Sequence, residues 1–396
     1  MLALFAVRRF AGEISRRRFV VAMALVLIVQ ALLSTEILLD ACIVGLLAAV
    51  VAYAVTDGRD RSRVVQVAVE TVFAGIGAAL LLLPYLLAAL SQPPVARPGN
   101  RYGLDALNLI VPTPVSWLGG QLFHGVSATF EAGNSVEADG YLGLPLLAIA
   151  GWFAASRWRT LREARVLIVL LVLVIVLALG SALRIAGASV IPLPWRSLGA
   201  LPLLGDIVAS RLMVFADLIL AMIAAMWLAE RARRPTFRWL LAALSVAALI
   251  PNVPGELWNS RPPNPRFFAA GLQRQYLARG ENLLVIPVAW HGDSMLWQAE
   301  SDFSFAMPIG YLSSALPDFV ADGEGLEWIF EGSIIKGRIP PRDARAIVAF
   351  LHSHGIRHIV LSPAYLPKWS AVLPRIAGPP IRAGGVLLYT LDGARA

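Results

Sequence analysis

The 396-residue chain is 58% hydrophobic and 15% charged, with a mean hydropathy of +0.68 and a formal charge of +8. Soluble globular chains sit near ~45–50% apolar and ~25% charged, so the balance excludes an ordinary water-soluble domain and indicates a lipid-facing one. The surplus charge is arginine placed between apolar runs, which argues against a nucleic-acid surface, and the lone Cys42 supplies neither a disulfide framework nor a thiolate metal site.

A helix needs about 20 largely apolar residues to cross the hydrocarbon core, or about 17 with snorkelling flanks. Seven runs answer in chain order: Phe19–Leu33, Ile37–Val55, Val69–Leu90, Tyr141–Ala155, Val166–Leu183, Leu212–Leu228 and Phe237–Ile250. Ser15-Arg16-Arg17-Arg18-Phe19-Val20 looks like a twin-arginine export signal. However, no small-residue cleavage site follows, and a second apolar run begins directly after Ser34-Thr35-Glu36, so a helical hairpin is expected.

Every second connection is arginine-rich. Arg8, Arg9, Arg16, Arg17 and Arg18 precede the first run, and Arg59, Arg61 and Arg63 follow the second. Arg157, Arg159, Arg162 and Arg165 follow the fourth, and Arg231, Arg233, Arg234 and Arg238 follow the sixth. The alternation predicts a cytoplasmic N-terminus and an extracytoplasmic C-terminal part.

Two segments then lie outside. Residues 91–140 hold Asn100-Arg101-Tyr102-Gly103-Leu104-Asp105, an apolar piece to Val111, Pro112-Thr113-Pro114, and the acids Glu131, Glu137 and Asp139. Long ordered loops of this kind tend to carry function. Residues 184–211 are rich in Pro and Leu and end on Asp206 and Arg211, which suggests an interfacial helix or a re-entrant piece.

A division at 254/255 separates this helical domain from a tail that reads as a small α/β domain. Leu283–Ile286, His358–Leu361 and Val386–Tyr389 are strand-like. Asp343–His354 has the apolar spacing of a one-faced helix, stopped by Gly355. Strand, helix, strand order predicts a partly parallel sheet.

Several pieces carry a resemblance: Asp105-Ala-Leu-Asn-Leu-Ile-Val-Pro112-Thr113-Pro114, then Glu137-Ala-Asp139-Gly140-Tyr141-Leu-Gly-Leu-Pro145, then Pro192-Leu-Pro-Trp195 with Leu201-Pro202 and Arg211. The tail adds Leu284-Val-Ile-Pro287 and Ser294-Met-Leu-Trp297-Gln298-Ala299. Together they resemble the later half of bacterial multispanning proteins of the GT-C glycosyltransferase superfamily, related to YfhO-like membrane proteins. The resemblance implies a partial or divergent transferase of the bacterial cell membrane. Its donor would be a polyprenyl-phosphate sugar and its acceptor an envelope glycan or protein. That superfamily places a catalytic carboxylate in the first outside loop; here the connection is Ser34-Thr35-Glu36, with Glu36 its only acid.

Such a transfer needs a carboxylate to take the acceptor proton and positive groups, or a divalent metal, at the leaving phosphate. Glu137, Asp139 and Asp105 are the candidate carboxylates; helix-entry acids favoured by the helix dipole are the plain reading of the same residues. Arg211, Arg184 and Arg101 are candidate phosphate ligands, or else interfacial anchors. Within the spans Asp217, Asp40 and Glu70 are costly in lipid, and Asp217 sits deepest from an end. A loop with His291 and Asp293 beside Trp297 and Gln298 has the make-up of a sugar-binding surface, or of an ordinary loop. His352, His354 and His358 look zinc-like, but the first two point to different sides of a helix. A non-catalytic scaffold, or a carrier of lipid-linked glycans working through Asp217, remains the alternative reading.

Overall fold

The computed structural model describes residues 1–91, 103–119, 122–130, 139–199, 201, 204, 207–230, 235–253, 263–288, 292–308, 329 and 344–391. The chain forms two compact units; described residues up to Val253 belong to the first and those from Pro263 to the second. The first is largely helical and the second is built on a small mixed sheet.

The first unit opens with α1 (Leu2–Phe10), a short amphipathic helix absent from the sequence reading. It leads into α2 (Arg16–Leu33) and α3 (Thr35–Val55). Ser15 caps α2 by accepting from Arg18 N–H, and Ser34 caps α3 by accepting from Ile37 N–H. The second cap explains how a connection of one extended residue turns the chain back. α4 (Gly58–Leu81) begins eleven residues before the expected third run, so Arg59, Arg61 and Arg63 lie within a helix and not in a loop. That run is also interrupted: α5 (Leu83–Leu90) follows a turn at Leu82. Pro84 has no N–H for the carbonyl four residues back, which accounts for the break.

Four further helices are α6 (Leu144–Arg157), α7 (Arg162–Ala178), α8 (Met213–Ala229) and α9 (Pro235–Ala248). α7 ends five residues earlier than the fifth apolar run. Gly180 takes a positive φ of 79° and turns the chain into a β-hairpin, β1 (Ala182–Ile185) paired with β2 (Ala188–Pro192). The Pro- and Leu-rich stretch expected as an interfacial or re-entrant piece therefore begins as a hairpin, followed by one helical turn at Trp195–Leu198.

Among the described residues three helical stretches are long and apolar enough to cross a membrane: Thr35–Val55, Gly58–Leu81 and Ala209–Ala229. Only 17% of the apolar window of α3 is buried although its mean hydropathy is 2.4; its side chains thus face outward, as lipid contact requires. α6 and α9, at 14 residues each, rise only about 21 Å, short of a ~30 Å hydrocarbon core. The core joins Val44 of α3 to Phe153 of α6, Val174 of α7, and Leu220 and Trp227 of α8. A smaller cluster packs Phe19 and Met23 of α2 on Ala74 of α4, with Leu2 and Phe5 of α1 against it.

Arginines of the Arg-rich segments are spent on acids of neighbouring helices. Arg9 grips buried Glu70 through both carboxylate oxygens at 2.6 and 2.8 Å. Arg162 at the start of α7 reaches Asp60 of α4 at 2.8 Å. Glu230, just past α8, receives Arg157 from α6 and Arg238 from α9, while Arg238 also lies 4.8 Å from the ring centroid of Trp227. Three helix ends are thereby tied by one carboxylate.

In the second unit the sheet order is β3 (Leu283–Ile286), β4 (His358–Leu361), β6 (Val386–Thr390), β5 (Ile381–Ala383). β3 and β4 are parallel, and the other pairs antiparallel. Side chains alternate across the sheet. Leu284, Ile286, Ile359 and Leu361 face Ile347, Phe350 and Leu351 of α10 (Ala344–Ser353). Leu283, Val285 and Val360 face Phe267, Phe268 and Trp297. Both faces are covered, which is why β3 reads as an unbroken apolar run. The three expected strands are present; β5, short and exposed, carries no apolar signal.

The Arg157 guanidinium, ahead of that of Arg238, holds the Glu230 carboxyl below its ordinary value of 4.5. A lowered folded value means stability that is complete above about pH 4.5 and lost as pH falls through the folded value. Glu230→Gln should therefore cost roughly 1–2 kcal/mol at neutral pH, the pair being partly exposed. Thermal unfolding in an uncharged detergent should show the gap between variant and parent narrowing as pH falls below 4.5; equal melting temperatures at pH 7 would refute the tie.

Candidate functional site

The end of the first unit opposite the Arg157–Glu230–Arg238 tie is built from interlocked connections. The turn Ala106–Leu109 lies between the end of α7 and the segment entering α6. Leu104 N–H donates to Ala178 O at 3.2 Å, and Leu142 and Gly143 N–H both donate to Leu109 O. Asn108, 1% exposed, is the centre of this contact. Its Nδ2 donates to Val111 O and to Asp139 Oδ1, both at 3.2 Å, and its Oδ1 accepts from Gly140 N–H. A Cβ at position 140 would come 2.7 Å from Leu104 Cδ1, so a side chain there would push the buried Leu104 aside.

Asp139 is thus an oriented carboxylate. Thr113, itself buried, donates from Oγ1 to the same Oδ1 at 3.1 Å, and the Tyr141 backbone adds a hydrogen bond. Burial pushes the Asp139 carboxyl above the ordinary aspartate value, against the opposing pull of Asn108, Thr113 and Tyr141. The two sequence pieces Asp105–Pro114 and Glu137–Pro145 therefore meet through Asn108, Thr113 and Asp139. The first two were not among the expected site residues. Their signal was polarity inside an otherwise apolar stretch.

Asp217, on the second turn of α8, keeps surface exposure, and the charge within electrostatic reach of it is Asp139. The plain expectation for Asp217 is pairing with an arginine; among the described residues none pairs with it, and the charge that acts on it is the Asp139 carboxylate. Such a pair can take up a proton, hold a cation or stabilise positive charge in a reacting group.

Arg211 lies about 9 Å along the same helix axis from Asp217 and bonds Glu36 at the start of α3. Asp40, one helical turn further along α3, has these two as its charged neighbours. It is 1% exposed and its Oδ1 has no hydrogen-bond partner among the described residues. Glu36, passed over as part of a minimal connection, thus belongs to a polar cluster with Arg211 and Asp40.

Asp105 has both oxygens engaged by backbone donors: Leu107 N–H to Oδ1 at 2.9 Å and Gly187 N–H to Oδ2 at 2.7 Å. It bridges Arg184 through the backbone, so its position is that of a clamp on the β1–β2 hairpin. Gly187 has a φ of 82° and lies against Thr129 O, where a Cβ would come within 2.4 Å.

Glu137, Arg101 and His291 lie outside the described residues. Trp297 is buried, stacked on Phe268 at 5.4 Å between ring centroids, with its indole N–H donating to Pro263 O at 2.8 Å. Gln298 donates to Phe305 O. The aromatic face expected to meet a sugar is covered by Phe268. Burial raises the Asp293 carboxyl somewhat. His354 stacks on Phe350 and His358 pairs with Glu281, and no three metal-binding side chains come together among the described residues.

In comparisons with known proteins no family model matches the chain, and neither a curated protein nor a solved structure matches it.

Removing the Asp105 clamp should loosen the hairpin. Asp105→Ala is expected to destabilise the unit by about 1–3 kcal/mol, with hydrogen-exchange protection falling in 182–192 before the rest. Unchanged protection there would show that the hairpin is held by other contacts.

Proposed function

We propose that the chain is a seven-span protein of the bacterial cell membrane, with the Arg-rich connections cytoplasmic and Asp139 on the outside. It acts there as a divergent GT-C-type glycosyltransferase on a polyprenyl-phosphate sugar. The single observation that carries the reading is the Asp139 carboxyl, oriented by Asn108 and Thr113 within electrostatic reach of Asp217, at the Arg-poor end of the bundle. The shorter helices α6 and α9 would complete their spans with tilted or snorkelling flanks.

In this reading Asp139 takes the proton of an acceptor hydroxyl. The acceptor oxygen bonds the anomeric carbon as the bond to the carrier phosphate breaks, and the phosphate leaves with the electron pair. A carboxyl whose proton affinity is raised by burial suits a base working near neutral pH. Asp217 adds negative charge where positive charge develops on the sugar. Arg211 would serve the phosphate by exchanging Glu36 for it. A divalent metal could supply further charge at that phosphate.

A carrier of lipid-linked glycans is the second reading. It is favoured by one observation, the buried Asp40 oxygen without a described partner beside Glu36 and Arg211.

One experiment separates them. The full chain is reconstituted in vesicles with a radiolabelled polyprenyl-phosphate sugar and a membrane acceptor fraction. Transfer should fall at least ~100-fold in Asp139→Asn and less in Asp217→Asn, with both variants folded. Translocation of the labelled lipid without transfer would favour the carrier. Transfer undiminished in Asp139→Asn would remove the catalytic assignment.

A further inference from the structure

α10 of the second unit buries Ala344, Ile347, Phe350 and Leu351 against the sheet and leaves another face uncovered. On that face Arg345 and His352 stand two turns apart, with Val348 and Ala349 between them. Arg375 and Ile376, from the one-turn helix Leu373–Ile376, face them across a groove of about 560 Å³. Three basic side chains thus rim an apolar floor. The four described acids of this unit act elsewhere: Glu281 on His358, Glu300 on Asn264, Asp302 on Arg274 and Asp293 on Tyr365. Among the described residues neither arginine of the rim, nor His352, is neutralised by a carboxylate.

We propose that this groove is a binding site for a phosphate-bearing anion. The argument is one of charge and shape. A phosphate monoester carries about −1.5 to −2 at neutral pH and offers three oxygens, which two guanidinium forks can share, whereas a single carboxylate satisfies only one. The two arginines, with no carboxylate on them among the described residues, repel each other, and a dianion removes that repulsion. Val348, Ala349 and Ile376 leave an apolar surface for whatever group the phosphate is esterified to. The same chemistry is offered by a free phosphate compound and by an anionic lipid headgroup. The site uses none of the residues assigned to transfer, so it stands or falls independently of that reading.

The test uses the full chain in uncharged detergent micelles. Binding is measured by titration calorimetry with inorganic pyrophosphate, and separately with micelles doped with short-chain phosphatidic acid, each against sodium sulfate at equal ionic strength. Pyrophosphate should bind above the sulfate background. Arg345→Gln combined with Arg375→Gln should weaken it at least ~10-fold, and both residues are exposed, so thermal unfolding should not change. Binding of doped micelles but not of pyrophosphate, lost in the same variant, would assign the site to a lipid headgroup. If neither probe exceeds sulfate, or if the double variant binds like the parent, the proposal is overturned.

Discussion

The candidate site rests on the amide of Asn108. A buried primary amide must have its donors and acceptor met, and here the partners come from two stretches of the chain, the local turn and the Asp139–Gly140 pair. Val111 O closes the local turn, Gly140 N–H docks the segment before α6, and Asp139 Oδ1 sets the plane of the carboxyl. Replacing this amide would strand a backbone N–H and remove a donor from a carboxylate at once, each loss worth about 1–3 kcal/mol. The position of Asp139 relative to α8 is thus a consequence of one side chain's hydrogen-bonding capacity, with Thr113 as its second support.

The same constraint, that a charge in an apolar helical unit needs partners, is met differently at the two ends. At the Arg-rich end Glu70, Asp60 and Glu230 are each matched by arginines from other helices. These pairs knit helices together, so a share of the arginine content that reads as a topology signal also serves packing. At the opposite end the matching among the described residues is less complete. Asp139 is held by neutral donors, Asp217 feels the charge of another carboxyl, and Asp40 keeps an oxygen without a described partner. Incomplete matching is destabilising in a low dielectric and persists where binding or chemistry makes use of it.

Much of this was legible in the residues. All seven apolar runs contain helix, because an unbroken apolar run of that length has few other ways to satisfy its backbone. The strands of the tail followed from short apolar runs bounded by turn residues. What escaped was set by single residues or by tertiary contact. Pro84 splits one run and Gly180 shortens another. The β1–β2 hairpin has no alternation to announce it, since β2 is exposed throughout. Asn108 and Thr113 gain their meaning only from Asp139, roughly thirty residues away, a spacing that no local pattern encodes. Trp297 illustrates the reverse error: its composition-based neighbourhood suggested a ligand surface, whereas Phe268 and Pro263 claim both its face and its N–H.

The Glu36–Arg211 pair bears most directly on how the proposed transfer would begin. An arginine already bonded to a carboxylate is not lost to a phosphate, because the exchange trades one charge-assisted pair for another and a dianion offers the stronger partner. The pair is only partly buried, with 38% and 30% of the two side chains exposed, so an incoming headgroup need not open the core to reach it. Displacement would leave Glu36 one turn from buried Asp40, two acids without their shared cation. A proton or a shift of α3 against the start of α8 would then have to relieve them. In the proposed reading, arrival of a phosphate at Arg211 would thus be felt by Glu36 and Asp40, and that coupling would serve a transferase and a carrier alike.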